Sequence, residues 1–265
     1  ASAPVAYAGA AAAADGATLE EVVVTAERRE ENVQKTPMNI TVVSGTDIQQ
    51  QGLNNMEQIL NNLPGVAVQG QVRGFNPSIR GLGTDLPPGS AQGTVATEMD
   101  GVYDIRAEQG RIGYYDLQRV EVLAGPQGTL YGVNSDGGVV NIISNDPQLD
   151  GMHLAGQLQV GNYALTRGEA MVNLPLGSSH AIRIAAATIK RNGFLDTGTS
   201  DEDGYGGRIK YLYRPSDKLS LLLGLEYSHL GGKGAGSVNQ FVDGNATQQY
   251  FNAAPVAVPT PWTSA

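Results

Sequence analysis

The 265-residue chain has no cysteine, and only 6% of its residues are aromatic and 16% charged. The absence of cysteine excludes disulfide scaffolds, thiol catalysis, Cys-ligated zinc and iron–sulfur clusters. The formal net charge is −9 and no block of Lys or Arg occurs. This argues against nucleic acid as a partner, because phosphate binding needs clustered positive charge. No apolar run approaches the roughly 18 residues of a transmembrane helix, whereas transmembrane barrel strands need only alternate.

Charge is distributed unevenly along the chain. Residues 1–150 contain 8 Lys and Arg against 18 Asp and Glu, a net of −10. Residues 151–265 contain 9 against 8, a net of +1. The length and the 41% hydrophobic content suffice for one large domain or two smaller ones. We therefore expect two regions with different roles.

The first 35 residues are predicted to be a flexible leader followed by a short extended segment. Residues 1–18 are mostly Ala and offer nothing large to pack. Ala6-Tyr7-Ala8 has the small-x-small form of a signal-peptidase site, and the alternative is a simple Ala-rich leader. In residues 19–35, the β-branched run Val22–Thr25 precedes the charged run Glu27–Glu31. Such a segment could add a strand to another protein's sheet, or form an edge strand of the domain that follows.

Residues 36–150 are predicted to form a compact α+β domain. Met38–Val43 alternates as a strand, and Ser44-Gly45-Thr46-Asp47 has the form of a capping box that opens a short helix. Asn54 or Asn55 can cap a second helix, which Pro64-Gly65 ends. The apolar positions of this second helix are Met56, Ile59, Leu60 and Leu63. Further strand candidates are Val66–Gln69, Val95–Met99, Arg119–Leu123 and Val139–Ile143.

The glycine-rich stretch Gly125–Gly132 suggests a nucleotide-binding loop but lacks the residues for one. A phosphate loop needs Lys followed by Ser or Thr after its last glycine, and a dinucleotide fingerprint needs Gly-x-Gly-x-x-Gly. Neither pattern is present. We interpret the stretch as tight backbone turns.

From residue 151 the pattern changes to long alternating segments. One face of the last segment carries Leu219, Leu221, Leu223, Leu225 and Tyr227, opposite Ser220 and Glu226. The five segments are Leu154–Val160, Thr166–Leu174, His180–Arg191, Tyr205–Arg214 and Leu219–Tyr227. Both a transmembrane barrel and a soluble β-sandwich alternate in this way. Charged and amide side chains recur on the second face, as a hydrated barrel lumen allows, and this favours the barrel.

An enzymatic function has the least support. His153, His180 and His229 have no metal-ligand spacing, Gly-x-Ser-x-Gly is absent, and residues 36–150 contain no His to act as a general base. We therefore predict no enzyme activity, no metal site and no cofactor.

The ordered series of motifs from Glu20 to Pro147 resembles the N-terminal part of TonB-dependent outer-membrane receptors. Residues 36–66 are similar to the opening of the plug domain of these receptors, and Ile79-Arg80-Gly81 matches its Ile-Arg-Gly element. Asp100-Gly101-Val102, Arg119–Gly132 and Gly137–Ile142 are similar to later plug motifs. The segment similar to the TonB box comprises Glu21, Val22, Val23, Val24, Thr25 and Ala26.

The resemblance implies an α+β plug domain followed by antiparallel strands of a 22-stranded transmembrane barrel, of which about five are present. It implies a transport receptor in the outer membrane of a Gram-negative bacterium, for a scarce small-molecule or metal-chelate substrate such as a ferric siderophore. The TonB box would bind TonB of the inner-membrane energy-coupling complex, and the barrel would contact lipid. Residues implied in plug–barrel contact are Arg80, Arg119 and Glu121.

Two features depart from the family pattern. Ala124 stands where the family usually has an Arg before Gly-Pro, which weakens the expected ionic lock between plug and barrel. Five strands are also too few to close a barrel, because the smallest closed outer-membrane barrels need about 8. The chain is therefore expected to be the plug and first strands of a receptor. The alternative is a short binding or signalling module that pairs its strands with another chain.

Overall fold

The computed structural model describes residues 23–24, 31–32, 39–53, 55–70, 75–83, 93–103, 114–195 and 197–233. The leader, most of the segment similar to the TonB box, residues 84–92 and residues 234–265 lie outside the described residues. What the sequence predicts for them stays a prediction.

The described residues form short elements up to residue 144 and long strands after it. The helices are α1 (Gly45–Gln50), α2 (Met56–Asn61) and α3 (Gly128–Tyr131). The earlier strands are β1 (Val23–Val24), β2 (Glu31–Asn32), β3 (Ile40–Ser44), β4 (Val66–Gly70), β5 (Phe75–Ile79), β6 (Val95–Met99), β7 (Val102–Tyr103), β8 (Leu117–Ala124) and β9 (Gly138–Ser144). The later strands are β10 (His153–Gly161), β11 (Leu165–Pro175), β12 (His180–Arg191), β13 (Glu202–Ser216) and β14 (Leu219–Gly231).

Five of the earlier strands form a mixed sheet in the order β3-β8-β9-β6-β7. Strands β6 and β9 are parallel and the other neighbours are antiparallel. Helices α1 and α2 pack their apolar residues against this sheet and close its core. Deeply buried side chains of this core include Met56, Ile59, Leu60, Val120, Val122, Val140 and Ile142.

Both predicted helix starts are confirmed. The Ser44 side chain accepts a hydrogen bond from the Asp47 amide at 3.1 Å, and Asn55 accepts one from the Gln58 amide at 2.8 Å. Each cap satisfies an amide that the first helical turn leaves without a partner. None of the described helices combines the length and the apolar character needed to span a membrane.

The elements of the first half that were not predicted include β2, β5, β7 and α3. Strand β5 contains Pro77, which cannot donate a ladder hydrogen bond, and it pairs with β4 in a separate two-stranded sheet. Helix α3 lies in the glycine-rich stretch that we predicted as turns only. The turn interpretation holds on either side of α3, where Gly125 and Gly132 have φ of 105° and 77°.

The later strands form a five-stranded sheet, here called the meander, in the order β10-β11-β12-β13-β14. Each strand is antiparallel to its neighbour in sequence. All five predicted segments are therefore confirmed as strands, with extensions of β13 and β14 beyond the predicted ends. The connections after β11 and β13 are short. The connection between β12 and β13 is longer and comprises residues 192–201.

The two faces of the meander have different surroundings, as the alternation predicts. The face here called inward lies against the mixed sheet and buries Arg183, Arg208 and Lys210. The opposite, outward face exposes Leu223 and Leu225 by 54% and 72%. The fold class predicted from the sequence, an α+β unit followed by antiparallel strands, is thus confirmed.

Candidate functional site between the mixed sheet and the meander

The turn that leads into β8 is bound to the meander by a buried ion pair. Arg183 of β12 donates from Nε to Asp116 Oδ2 at 2.7 Å and from Nη2 to Asp116 Oδ1 at 2.5 Å. The two side chains are 6% and 9% exposed. Asn145 Nδ2 also donates to Asp116 Oδ1, at 2.9 Å. The two parallel bonds give this contact a defined geometry. Removal of one partner would leave a buried charge unpaired, which would lower the free energy of unfolding.

The preceding residue, Tyr115, inserts its ring into the inward face of the meander. It is 2% exposed and packs against Ala185 and Ala187 of β12. A Cβ added at Gly206 would lie 3.5 Å from the ring and from its hydroxyl oxygen. The ring therefore has room beside a small residue at this position, whereas a large side chain would not fit there. The Arg208 guanidinium lies 4.9 Å from the ring centroid, and its Nη1 donates to the Tyr115 carbonyl oxygen at 3.2 Å.

The Tyr115 hydroxyl is buried and has no hydrogen-bond partner among the residues that the structure describes. Burial raises the pKa of Tyr115 to about 12, so the hydroxyl stays protonated at physiological pH. A buried hydroxyl without an acceptor costs free energy. The ring and the backbone carbonyl, rather than the hydroxyl, therefore hold this residue in place.

We predict that Tyr115→Phe leaves the stability of the complete protein unchanged or raises it, because the hydroxyl that it removes has no acceptor among the described residues. The matched control is Tyr211→Phe, since the Tyr211 hydroxyl lies 2.6 Å from His180 Nδ1. That control should lose about 0.5–1.5 kcal/mol, the usual net value of a hydrogen bond. Urea unfolding of both variants measures the difference. A larger loss for Tyr115→Phe than for Tyr211→Phe would contradict the prediction.

A third contact joins Lys210 of β13 to three atoms of the mixed sheet and the segment that follows it. Lys210 is 5% exposed. Its Nζ lies 3.0 Å from Asp100 Oδ2, 2.9 Å from Asp146 Oδ1 and 3.3 Å from the Ser144 carbonyl oxygen. Asp100 also accepts from the Ser144 amide and hydroxyl at 2.9 and 2.6 Å. One cation thus holds the ends of β6 and β9 together against the meander.

We predict that Lys210→Met lowers the free energy of unfolding by about 1–3 kcal/mol, because it removes the cation from Asp100 and Asp146. Both aspartates are partly exposed to solvent. The decrease in the free energy of unfolding should therefore be smaller than for a fully buried charge left without its partner. Lys218→Met, in the exposed turn before β14, is the control and should change stability by less than about 0.5 kcal/mol. Protease sensitivity of the mixed sheet across a urea series gives both values. Equal midpoints for the two variants would contradict the prediction.

The segment between the two sheets is also held in place. Asn173 of β11 is fully buried. Its Nδ2 donates to the carbonyl oxygens of Gln148 and Gly151 at 2.9 and 2.8 Å, and its Oδ1 accepts from the Gln148 amide at 2.8 Å. These bonds fix the path by which the chain enters the meander.

The residues expected to contact the barrel have the following contacts with other residues of the first half of the chain. Arg119 donates from Nε to Glu121 Oε1 at 2.6 Å and from Nη1 to Gln118. Glu121 is fully buried in β8 and also accepts from Asn141 at 3.2 Å. Arg80 is exposed, with φ of 53°, and its amide donates to the Gly65 carbonyl oxygen. Contact of Arg80, Arg119 and Glu121 with a barrel stays a prediction.

Of the segment similar to the TonB box, only Val23 and Val24 are described. They pair as β1 with Glu31 and Asn32 of β2, in antiparallel register. Glu21, Val22, Thr25 and Ala26 lie outside the described residues. An extended conformation at Val23 and Val24 agrees with the β-branched composition, whereas binding of a partner there stays a prediction.

Sequence reasoning identified only part of this site. The alternation placed Arg208 and Lys210 on the polar face, but Tyr115 and Asp116 stand in a turn with no periodicity. The one available signal was the acidic first half of the chain next to a slightly basic second half. Among the described residues, no three His, Asp or Glu side chains are grouped as a metal site requires.

Comparison with known proteins agrees with this architecture. Residues 32–139 match the family model of the TonB-dependent receptor plug domain. These residues form a TonB-dependent receptor plug domain. The meander begins at His153, after the matched residues end at position 139, as the first barrel strands were expected to do.

Two relatives match most of the chain. The iron-regulated outer membrane virulence protein of Vibrio cholerae is 28% identical over 231 residues, covering 78% of this chain and 34% of the relative. The ferripyoverdine receptor of Pseudomonas aeruginosa is 28% identical over 238 residues, covering 85% of this chain and 27% of the receptor. The chain thus spans about a third of the length of these relatives.

A solved structure supports the fold. The ferric-catecholate import receptor Fiu of Escherichia coli K12, in its open form, superposes with a TM-score of 0.60 at 25% identity. The superposition covers 75% of this chain and 28% of that receptor. The share of this chain that superposes is larger than residues 32–139 alone.

Proposed function

We propose that the chain is the plug domain and first barrel strands of a TonB-dependent active-transport receptor in the outer membrane of a Gram-negative bacterium. The observation that carries the proposal is the two-sided meander. Its outward face is apolar and exposed, and its inward face binds the plug domain through the buried cations Arg183, Arg208 and Lys210. A barrel wall between lipid and a plugged lumen has this arrangement.

Aromatic rings on the outward face support a position in lipid. At one end His180 stacks on Tyr213 with ring centroids 4.6 Å apart, and at the other Tyr205 and His229 are 5.1 Å apart. Transmembrane barrels place aromatic residues in two girdles around an apolar band. The outward apolar residues between these rings are Ile184, Ile209, Leu223 and Leu225.

We divide the chain into a leader (1–18), the TonB box and linker (19–35), the plug domain (36–150) and barrel strands (151–265). The contacts of Asn173 support a boundary near residue 150, because they hold the connecting segment between the two sheets. The plug domain would close the lumen until the receptor is energised.

The proposed partner is TonB of the inner-membrane energy-coupling complex. An extended segment such as Val23–Val24 binds by adding a strand to a partner's sheet, so that backbone hydrogen bonds supply the affinity. A pull on this segment would then move the plug domain. Transport of this kind makes and breaks no covalent bond, so we propose no enzyme activity.

The proposed substrate is a ferric siderophore. The relatives support this class by their names, since one is a ferripyoverdine receptor and another a catecholate siderophore receptor. Such a substrate would bind at the extracellular face of the plug domain and barrel.

Uptake by the complete receptor tests this function. Iron-starved cells that lack their own siderophore receptors would express it and be given radiolabelled ferric pyoverdine or a ferric catecholate. We expect accumulation of at least one of them, and none in cells without the energy-coupling complex. Accumulation that persists without the complex would contradict active transport through this receptor.

The alternative function is a short module that pairs its strands with another chain. The observation behind it is that β10 and β14 each have one neighbour among the described strands. Unpaired strand edges do not persist in a bilayer, so further strands must cover them. A denaturing gel of outer membranes, probed against the plug domain, separates the two. A band several times heavier than 27.7 kDa supports the receptor, and a band near that mass supports the module.

A further inference from the structure

Two buried cations of the meander have no acidic partner within that sheet among the described residues. Arg183 of β12 and Lys210 of β13 are cross-strand neighbours on the inward face, and we call them the cation pair. Like charges directly opposite each other destabilise a sheet. Other cations of this face pair within the sheet: Arg167 with Glu169, Arg191 with Glu202 and Arg208 with Glu226. The cation pair therefore depends on anions from outside the meander.

Carboxylates from the first half of the chain supply these anions. Asp116 binds Arg183 at 2.7 Å, and Asp100 and Asp146 lie 3.0 and 2.9 Å from Lys210 Nζ. Hydrogen bonds between charged groups of this kind are about twice as strong as those between neutral groups. The chemistry that the cation pair accepts is thus the oxygen atoms of anionic groups.

The three carboxylates differ in how far solvent reaches them. The Asp116 side chain is 9% exposed, that of Asp100 28% and that of Asp146 56%. Asp146 belongs to the segment between β9 and β10, and among the described residues Lys210 is the one partner of its carboxylate. The Asp146 side chain can turn away from Lys210 without a change in either sheet. An anion from solution can then take its place at Lys210.

The cation pair lies near the end of the meander at which the chain enters it. Lys210 and Arg183 are in register with Asn173 and with His153, the first residue of β10. The short connections after β11 and β13 are at this end, and the longer connection after β12 is at the other. Transmembrane barrels have short periplasmic turns and longer extracellular loops. A substrate that crosses the lumen would therefore meet the cation pair shortly before it enters the periplasm.

We infer that Lys210, with Arg183 beside it, binds an anionic group of the substrate at the periplasmic end of the lumen, and that Asp146 is the resident anion that the substrate replaces. The role in transport rests on the proposed function, whereas the anion site itself does not. The inference also narrows the substrate class. The ferric chelate would carry a net negative charge on carboxylate or catecholate oxygens, because a neutral or cationic chelate gains nothing from this site.

Two substitutions in the same ion pair distinguish an anion site from a structural contact. Asp146→Asn removes the resident anion and leaves Lys210 available, whereas Lys210→Met removes the cation that would bind. Asp150→Asn is the matched control, because Asp150 lies in the same segment and contacts His153 instead. Citrate, a soluble tricarboxylate, is the probe, and sodium chloride of equal ionic strength is the reference. The measurement is the thermal unfolding midpoint of the purified complete receptor.

A ligand that binds only the folded state raises the unfolding midpoint. We expect citrate to raise the midpoint of Asp146→Asn by more than that of the unmodified receptor or of Asp150→Asn. The double variant, Asp146→Asn with Lys210→Met, should lose this extra shift whatever its starting stability. No extra shift in Asp146→Asn, or an equal shift in the single and double variants, would overturn the anion site.

Uptake of a radiolabelled ferric catecholate by the complete receptor tests the role in transport. We expect Lys210→Met to lower the rate of uptake several-fold without weakening binding to the cells, because the substrate binds first at the opposite end of the lumen. Lys210→Arg keeps the cation and should restore uptake. Unchanged uptake by Lys210→Met, or a loss that Lys210→Arg does not restore, would contradict this role. If the unmodified receptor shows no energy-dependent uptake, the proposed function fails, and the citrate measurement still decides the anion site.

Discussion

Replacement of Val23 by proline in the complete receptor should abolish uptake and leave substrate binding intact. Proline has no amide hydrogen and fixes φ near −65°, so a strand at this position loses a backbone hydrogen bond to its partner. Strand addition depends on those hydrogen bonds for its affinity. Substrate binding should persist, because the plug domain and barrel wall are unchanged.

The control for this variant is Val23→Ala, which keeps the amide hydrogen and the extended conformation. We expect most of the uptake to remain, with a modest decrease from the smaller side chain. Radiolabelled substrate separates binding to cells from accumulation within them. Full accumulation by Val23→Pro would show that residues 21–26 do not couple the receptor to its energy source.

Leu223→Arg should prevent assembly of the receptor in the outer membrane. Leu223 is 54% exposed on the outward face and pairs with Tyr211, between the two groups of aromatic rings. An Arg on the lipid face near the midplane of the bilayer costs about 2–4 kcal/mol. Heat modifiability on a gel and protection from proteases measure assembly.

Leu222→Arg is the matched control, because it introduces the same residue one position earlier. Leu222 pairs with the buried Leu212 on the inward face, beside a wall that already holds Arg208 and Lys210. An Arg there can extend toward the lumen, so we expect assembly to continue with a smaller loss of stability. Equal failure of both variants would mean that the assignment of the two faces is wrong.

The meander could be predicted almost completely from the sequence. Alternation with a period of two is a local property, and it fixes both the strand and the face that each side chain occupies. The predicted and observed bounds of β12, His180–Arg191, coincide. The capping residues Ser44 and Asn55 were predictable for the same reason, since a cap acts within one turn of its own helix.

The contacts of Tyr115 and Asp116 with β12 and β13 could not be predicted, because they join residues far apart in sequence. Asp116 and Arg183 are 67 positions apart, and no local pattern marks either as the partner of the other. In the sequence, nothing distinguishes Tyr115 from other residues in turns. Its role becomes visible only when the fold places small residues of β12 and β13 around its ring. The expected contacts of Arg119 illustrate the same limit, because a strand pattern cannot tell a partner two residues away from one on another sheet.

The strand order also has a consequence for how the chain folds. In the meander every strand pairs with its neighbour in sequence, so the sheet can grow by one hairpin at a time as each strand becomes available. In the mixed sheet, β3 pairs with β8, which is much later in the chain. Ile40 can therefore pair with Leu123 only after a long loop has closed. Contacts between distant residues slow folding, whereas local hairpins form quickly. The plug domain should therefore complete its sheet late. Until then, Arg183 and Lys210 of the meander would be charged and without the aspartates that pair with them in the folded protein.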